Sequence, residues 1–135
     1  MTPLPSALPF WLSLALPPLA VVGMLHGGWT IALLPLCTWW LFTLLDALTG
    51  LNQQNPDPQT DDSALTWHKA VTLVWFPVQF VLLVAMLWYV PRADHLDTGE
   101  RIALFFGMGV VAGTIGINYS HELMHQKSRL ERWLA

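Results

Sequence analysis

A chain of 135 residues that is 54% hydrophobic and 11% charged, with a mean hydropathy of +0.47, lies far from the balance of about a quarter charged that soluble domains keep. This is the composition of a membrane protein. A net charge of −3 with six scattered Lys and Arg leaves no basic patch, which excludes nucleic acid as a partner. A single cysteine, Cys37, excludes an internal disulfide or a cysteine metal cage and reads as a packing residue in an apolar run.

Four apolar stretches appear in chain order, at about 9–25, 29–48, 70–90 and 102–120. Each approaches the twenty or so residues that a helix needs to cross the hydrocarbon core. The first, within MTPLPSALPFWLSLALPPLAVVGM, has no Lys or Arg ahead of it and is interrupted by prolines, so it reads as a retained span rather than a cleaved signal. Only His26, Gly27 and Gly28 separate it from the second stretch, which predicts a tight turn between antiparallel helices. Pro91 to Glu100, containing Pro, Asp and Gly, predicts a second turn. Between the hairpins lies one long polar loop, Thr49 to Lys69, expected in water or on the membrane surface. The predicted fold is therefore all-α: an integral-membrane bundle of about four transmembrane helices in two hairpins.

Four spans place both termini and the long loop on one side, with Lys69, Lys127, Arg129 and Arg132, against Arg92 and Arg101 on the other. The bias in basic residues points to cytoplasmic termini. Trp11, Trp29, Trp67 and Trp88 fall near span ends, where an interfacial belt is expected. Trp39, Trp40 and Phe42 lie deeper and read as lipid-facing or packing residues. In the fourth span, Gly109 and Gly113 form a small-xxx-small pair expected to let another helix approach closely.

The chemistry gathers at the end of that span, in NYSHELMHQKSRLERWLA, residues 118–135. On a helix, four residues advance about 400° and climb about 6 Å, so His121 and His125 leave one face a turn apart and can converge on one metal. Asn118 falls on the same face and is a candidate to orient an imidazole through its other nitrogen. Beyond the motif, Lys127 and Glu131 are spaced as an i,i+4 pair and Leu130, Trp133 and Leu134 cluster, which predicts that the helix extends past the membrane. Two metal chemistries use H-E-x-x-H. In a zinc peptidase Glu122 is the general base and a third protein ligand is required. In a non-haem iron enzyme several helices contribute histidines and the metal activates oxygen, for which redox-inert zinc is unsuited. A non-catalytic four-helix membrane remnant is a further alternative.

The wider stretch resembles the first histidine box of the membrane-bound alkane 1-monooxygenases, part of the integral-membrane hydroxylase and desaturase group that includes xylene monooxygenase. The resemblance extends from Asn118 through RLERWLA. Upstream, LLDALTGLNQQNPD is similar to that family's aspartate at a span end followed by an Asn-Pro loop, here Asp46, Asn55 and Pro56. The resemblance implies hydroxylation of the terminal carbon of an alkane with O₂ at a histidine-rich di-iron site. Electrons would come from rubredoxin and its reductase, and the hydrophobic substrate from membrane lipid, in a bacterial inner membrane. His121 and His125 correspond to the first two iron ligands. Glu122 belongs to the motif without being expected as a principal ligand, and Asn118, Glu122 and Asp46 are candidates for the surrounding layer of hydrogen bonds.

The family's later boxes, of the types H-x-x-x-H-H and H-x-x-H-H, are missing from these residues. His26 and His95 fall on the opposite side, about 30 Å away. His68 is on the same side as His121 and reads as an interfacial residue beside Lys69. Residues 1–135 are thus expected to be the N-terminal transmembrane portion of a larger hydroxylase, inactive alone because two histidines do not saturate one iron. HELMH leaves open alkane against aromatic methyl substrates, and RLERWLA favours the alkane enzymes.

Overall fold

The computed structural model describes residues 10–41, 43, 44, 47, 66–124 and 129–134, and among these every regular element is helical. A 3₁₀ turn, Leu12–Ala15, leads into α1, Leu16–His26. Pro17 and Pro18 sit in the first turn of α1, where a missing N–H costs nothing because it would have no helical partner. α1 ends at Gly27, whose φ of 66° and ψ of −161° lie in a region essentially reserved for glycine. Gly28 also has positive φ, and the chain reverses as expected into a 3₁₀ stretch, Gly28–Ala32, then α2, Leu33–Leu36, and a π turn, Cys37–Leu41.

The longest helix is α3, Thr66–Tyr89, prolonged by a 3₁₀ turn, Val90–Arg92. Its start lies inside the stretch expected to be loop. Trp67 and His68 are helical because they pack on the first segment: the Trp11 and Trp67 rings meet edge to face at 6.1 Å, and Phe10 and His68 at 5.1 Å. The rest of the expected loop, including Asn55 and Pro56, lies outside the described residues, as does Asp46. The second turn is shorter than expected, because α4, Thr98–Val111, begins at a capping box: Asp97 Oδ1 accepts from the Glu100 backbone at 2.8 Å, and Glu100 Oε2 accepts from the Asp97 backbone at 2.8 Å. A π turn, Ala112–Gly116, joins α4 to α5, Ile117–Met124, and a short α6, Arg129–Leu134, follows.

Two helices, Thr66–Arg92 and Thr98–Met124, are each 27 residues long and apolar enough to cross a membrane, while Leu12–His26 is a shorter apolar helix. α1 packs on α3 and α4, and α2 packs on α4. Their shared core holds Leu16, Ala20 and Met24 of α1, Leu34 of α2, Val71, Trp75 and Met86 of α3, and Leu104, Met108 and Val111 of α4. Cys37 packs against this core, as expected. Trp39, Trp40, Phe80, Val81, Val84, Leu87, Ile102, Phe106 and Ile117 point outward, an apolar exterior suited to lipid.

The close approaches fall on other glycines than the expected pair. A Cβ on Gly107 would meet Leu34 at 3.3 Å, and one on Gly23 would meet Leu104 at 3.2 Å, whereas Gly109 and Gly113 face open space. The register of the α4 contact with α2 explains this, since Leu34 and Pro35 both lie over Gly107.

At one end of the bundle the two turns are clamped together. Glu100 Oε1 accepts from the Gly28 backbone at 2.5 Å while Oε2 holds Asp97, and a His95 ring nitrogen lies 3.0 Å from the Met24 carbonyl. Arg101 donates to the Ala93 carbonyl at 3.0 Å. One carboxylate thus ties the turn after α1 to the start of α4. Replacing Glu100 with Ala removes two charge-assisted hydrogen bonds and is expected to cost about 1–3 kcal/mol. The check is an unfolding midpoint in detergent, with Glu100→Gln expected to lose only part of that amount.

Candidate functional site

The helix that carries His121 and Glu122 is shaped by the π turn beneath it. A π turn widens the backbone and loosens the ordinary carbonyl partners. Side chains take up the loosened carbonyls here: Thr114 Oγ1 donates to the Val110 carbonyl at 2.8 Å, and Asn118 Nδ2 donates to the Thr114 carbonyl at 2.7 Å. Gly116 gives the room for this distortion against α3, since a Cβ there would stand 3.0 Å from Gln79 Oε1.

Tyr119 and Leu123, one turn apart, anchor α5 to the bundle; both are buried, and the Trp75 ring meets Tyr119 edge to face at 5.8 Å. The Tyr119 hydroxyl lies 3.0 Å from Ser13 Oγ and 3.1 Å from the Phe10 carbonyl, and Ser13 Oγ donates to that carbonyl at 2.7 Å. Each hydroxyl has one proton, so both are used when one hydroxyl donates to the other and the second donates to the Phe10 carbonyl, in either order. This knot ties α5 to the first segment across more than a hundred residues of sequence.

With Tyr119 and Leu123 turned inward, His121 and Glu122 are exposed on the outer side of α5. His121 is about 200° from Tyr119 around the helix, so it faces away from the core. The second expected ligand, His125, lies outside the described residues. Among the described residues, no group of three or more His, Cys, Asp and Glu side chains stands close enough to hold a metal. The described residues therefore do not fit a complete iron or zinc site. Asn118, expected on spacing to orient an imidazole, commits its amide nitrogen to the backbone, which leaves Oδ1 as the atom able to meet a ring N–H.

His26 is exposed and His95 bonded at the Glu100 end of the bundle, well apart from His121. His68 belongs to the His121 end. It lines a cleft of about 330 Å³ with Phe10, Lys69, Thr72, Asn118, Tyr119 and Glu122. Sequence reading passed over Tyr119 and Ser13. The available signal was the pairing of Tyr119 with Leu123 at i,i+4, an inward face alternating with the histidines.

No protein-family profile matches the chain, and no solved structure gives a significant match. Curated proteins do. Alkane 1-monooxygenase 1 of Alcanivorax borkumensis is 29% identical over 133 residues, covering 92% of this chain and 32% of the relative. Alkane 1-monooxygenase of Pseudomonas putida is 29% identical over 134 residues, covering 93% and 33%. Alkane 1-monooxygenase 1 of Pseudomonas aeruginosa is 33% identical over 92 residues, covering 66% and 24%. The chain spans about a third of the length of the first two of these relatives.

The Tyr119 knot generates a stability prediction. Tyr119→Phe keeps the ring on Trp75 and removes the hydroxyl, with an expected cost of about 1 kcal/mol. Hydrogen exchange should show faster opening of the Trp11–Ala15 segment and unchanged protection in the middle of α3.

Proposed function

We propose, from the premise that this chain is a homologue of the alkane 1-monooxygenases over most of its length, that it supplies a helical membrane portion and one ligand face of such an oxidoreductase. The reaction is insertion of one oxygen atom of O₂ at the terminal carbon of an alkane. The observation that carries this reading is 29% identity along more than nine-tenths of the chain to proteins of that name. Two features support it. HELMH begins on the last turns of a long apolar helix, where a substrate dissolved in lipid can reach it. His121 is exposed on the outer side of α5, away from the packed core.

In this reading His121 and His125 are two of the ligands of a di-iron site whose other ligands come from polypeptide outside residues 1–135. Glu122, Asn118 and Asp46 tune or orient that layer without being principal ligands. By itself the chain is inactive, because two imidazoles leave even one iron mostly open to water. Rubredoxin and its reductase are the proposed electron donors. The proposed location is the bacterial inner membrane with both termini cytoplasmic, supported by Lys69, Lys127, Arg129 and Arg132 against Arg92 and Arg101. A zinc peptidase needs a third ligand that no described side chain supplies.

A chimera tests the reading. The chain is substituted for the matched portion of the Pseudomonas putida relative and assayed in membranes with rubredoxin, reductase and n-octane. The expected result is octanol formation by the chimera, loss of at least about a hundredfold with His121→Ala, and none from the 135-residue chain alone. Octanol from the isolated chain, or a His121→Ala chimera at full rate, would contradict it.

A further inference from the structure

At the Glu100 end of the bundle an open groove of about 480 Å³ runs between residues 28–35 and α4. Gly99 and Glu100 line its mouth, Ala103 lies about a turn further in, and Phe106 about 9 Å below Glu100 along the helix. Ala32, Ala103 and Phe106 are exposed, so the lower groove is an apolar surface on a helix long enough to cross a membrane. Exposed Trp29 and Trp88 stand at the same end, as in an interfacial tryptophan belt, which puts the mouth at headgroup depth. The mouth is negative. Asp97 and Glu100 both line it, and the hydrogen bonds their carboxylates accept come from exposed backbone amides. The arginines of this end are committed elsewhere: Arg101 to the Ala93 carbonyl, and Arg92 to the Trp88 carbonyl and ring. Two full negative charges outweigh the roughly half positive charge of the α4 N-terminus. Two carboxylates are too few for a metal site, and among the described residues no group of three or more His, Cys, Asp and Glu forms one. Small residues keep the mouth open, since a Cβ on Gly28 would meet nothing within 4 Å.

From this charge complementarity we propose that the groove holds a phospholipid whose head carries a primary ammonium, phosphatidylethanolamine. Its ammonium sits on Asp97 and Glu100, and one acyl chain lies along Ala32, Pro35, Ala103 and Phe106. An ethanolamine head has three N–H donors, as a lysine ammonium has, and the two carboxylates keep lone pairs beyond those their backbone donors use. Bonds of this charge-assisted kind are the strong ones. A choline head carries the same charge without an N–H, so it is attracted but forms no such bond. A glycerol head leaves the phosphate charge unbalanced and is repelled. The first-turn amides of α4 at Thr98 and Gly99, which have no helical carbonyl to reach, suit the phosphate of the same zwitterion. The lipid spans the two segments that Glu100 ties together, so it reinforces that lock from outside. The inference rests on the helices lying in a membrane and not on the reaction proposed above.

The test needs no iron, oxygen or reductant, so it fails or succeeds independently of the hydroxylase assay. The 135-residue chain, ¹⁵N-labelled in phosphatidylcholine nanodiscs, is followed by NMR as phosphatidylethanolamine or, separately, phosphatidylglycerol replaces part of the bilayer. The expected result is a saturable shift of the Gly28, Gly99 and Ala103 amides with phosphatidylethanolamine and none with phosphatidylglycerol. Asp97→Asn keeps a good helix cap while removing one charge, so it should fold as the parent does and weaken the preference for phosphatidylethanolamine about tenfold. Ala103→Leu, which fills the groove and leaves the mouth intact, should also diminish the shifts of Gly28 and Gly99. Amides indifferent to phosphatidylethanolamine, saturable shifts with phosphatidylglycerol, or an Asp97→Asn chain with the parent's preference would overturn the proposal. The same shifts produced by magnesium ions in pure phosphatidylcholine would overturn it too, by making the mouth a cation site.

Discussion

Between the two ends of this bundle, a polar group must find its partner within the protein, because hydrocarbon offers none. The hydroxyls within the helices obey this by bonding backward along their own chain: Thr38 to Leu34, Thr72 to Lys69 and Thr114 to Val110. Polar side chains that bond from one segment to another are gathered at the ends. Glu100 closes one end by holding both turns, and the Tyr119, Ser13 and Phe10 knot closes the other. Trp75 Nε1 and Gln79 Oε1 are buried without partners, and both lie deep in α3 beside the distorted helix. The apolar core supplies cohesion between two polar locks, and the locks decide where the ends of the helices sit.

That constraint passes directly to the outer face of α5. The π turn at Ala112–Gly116 changes the azimuth of everything after it, and Gly116 against Gln79 and Asn118 on Thr114 hold it in place. Tyr119 and Leu123 then take the inward positions of α5, so His121 is presented outward. Among the described residues no group of three or more His, Cys, Asp and Glu side chains stands close enough to hold a metal, so the proposed site on this face draws on groups beyond them. The homology with alkane 1-monooxygenases about three times as long agrees with such an arrangement.

The hydropathy of the chain made much of this architecture legible. Helical segments occupy the apolar stretches, the His26–Gly28 turn is where its glycines predict, and Trp39 and Trp40 face outward. Less legible were features set by contacts distant in sequence. Thr66 to Lys69 read as loop on composition and are helical because Trp11 and Phe10 pack against them. Gly109 and Gly113 match a helix-packing pattern, but the register of α2 on α4 brings Gly107 into contact instead. HELMH reads as a candidate ligand motif from its spacing, whereas the π turn beneath His121 has no local signature. Asn118 reads on spacing as a partner for an imidazole, and the turn beneath takes its amide nitrogen.

The account stands on His121 and His125 being iron ligands completed by groups outside this chain. Metal analysis of a chimera carrying these residues in an alkane 1-monooxygenase, purified from membranes, addresses that most directly. The account predicts stoichiometric iron that falls sharply on replacing His121 or His125 by Ala and is unchanged on replacing His26. Stoichiometric zinc in place of iron, or an iron content indifferent to His121 and His125, would contradict it.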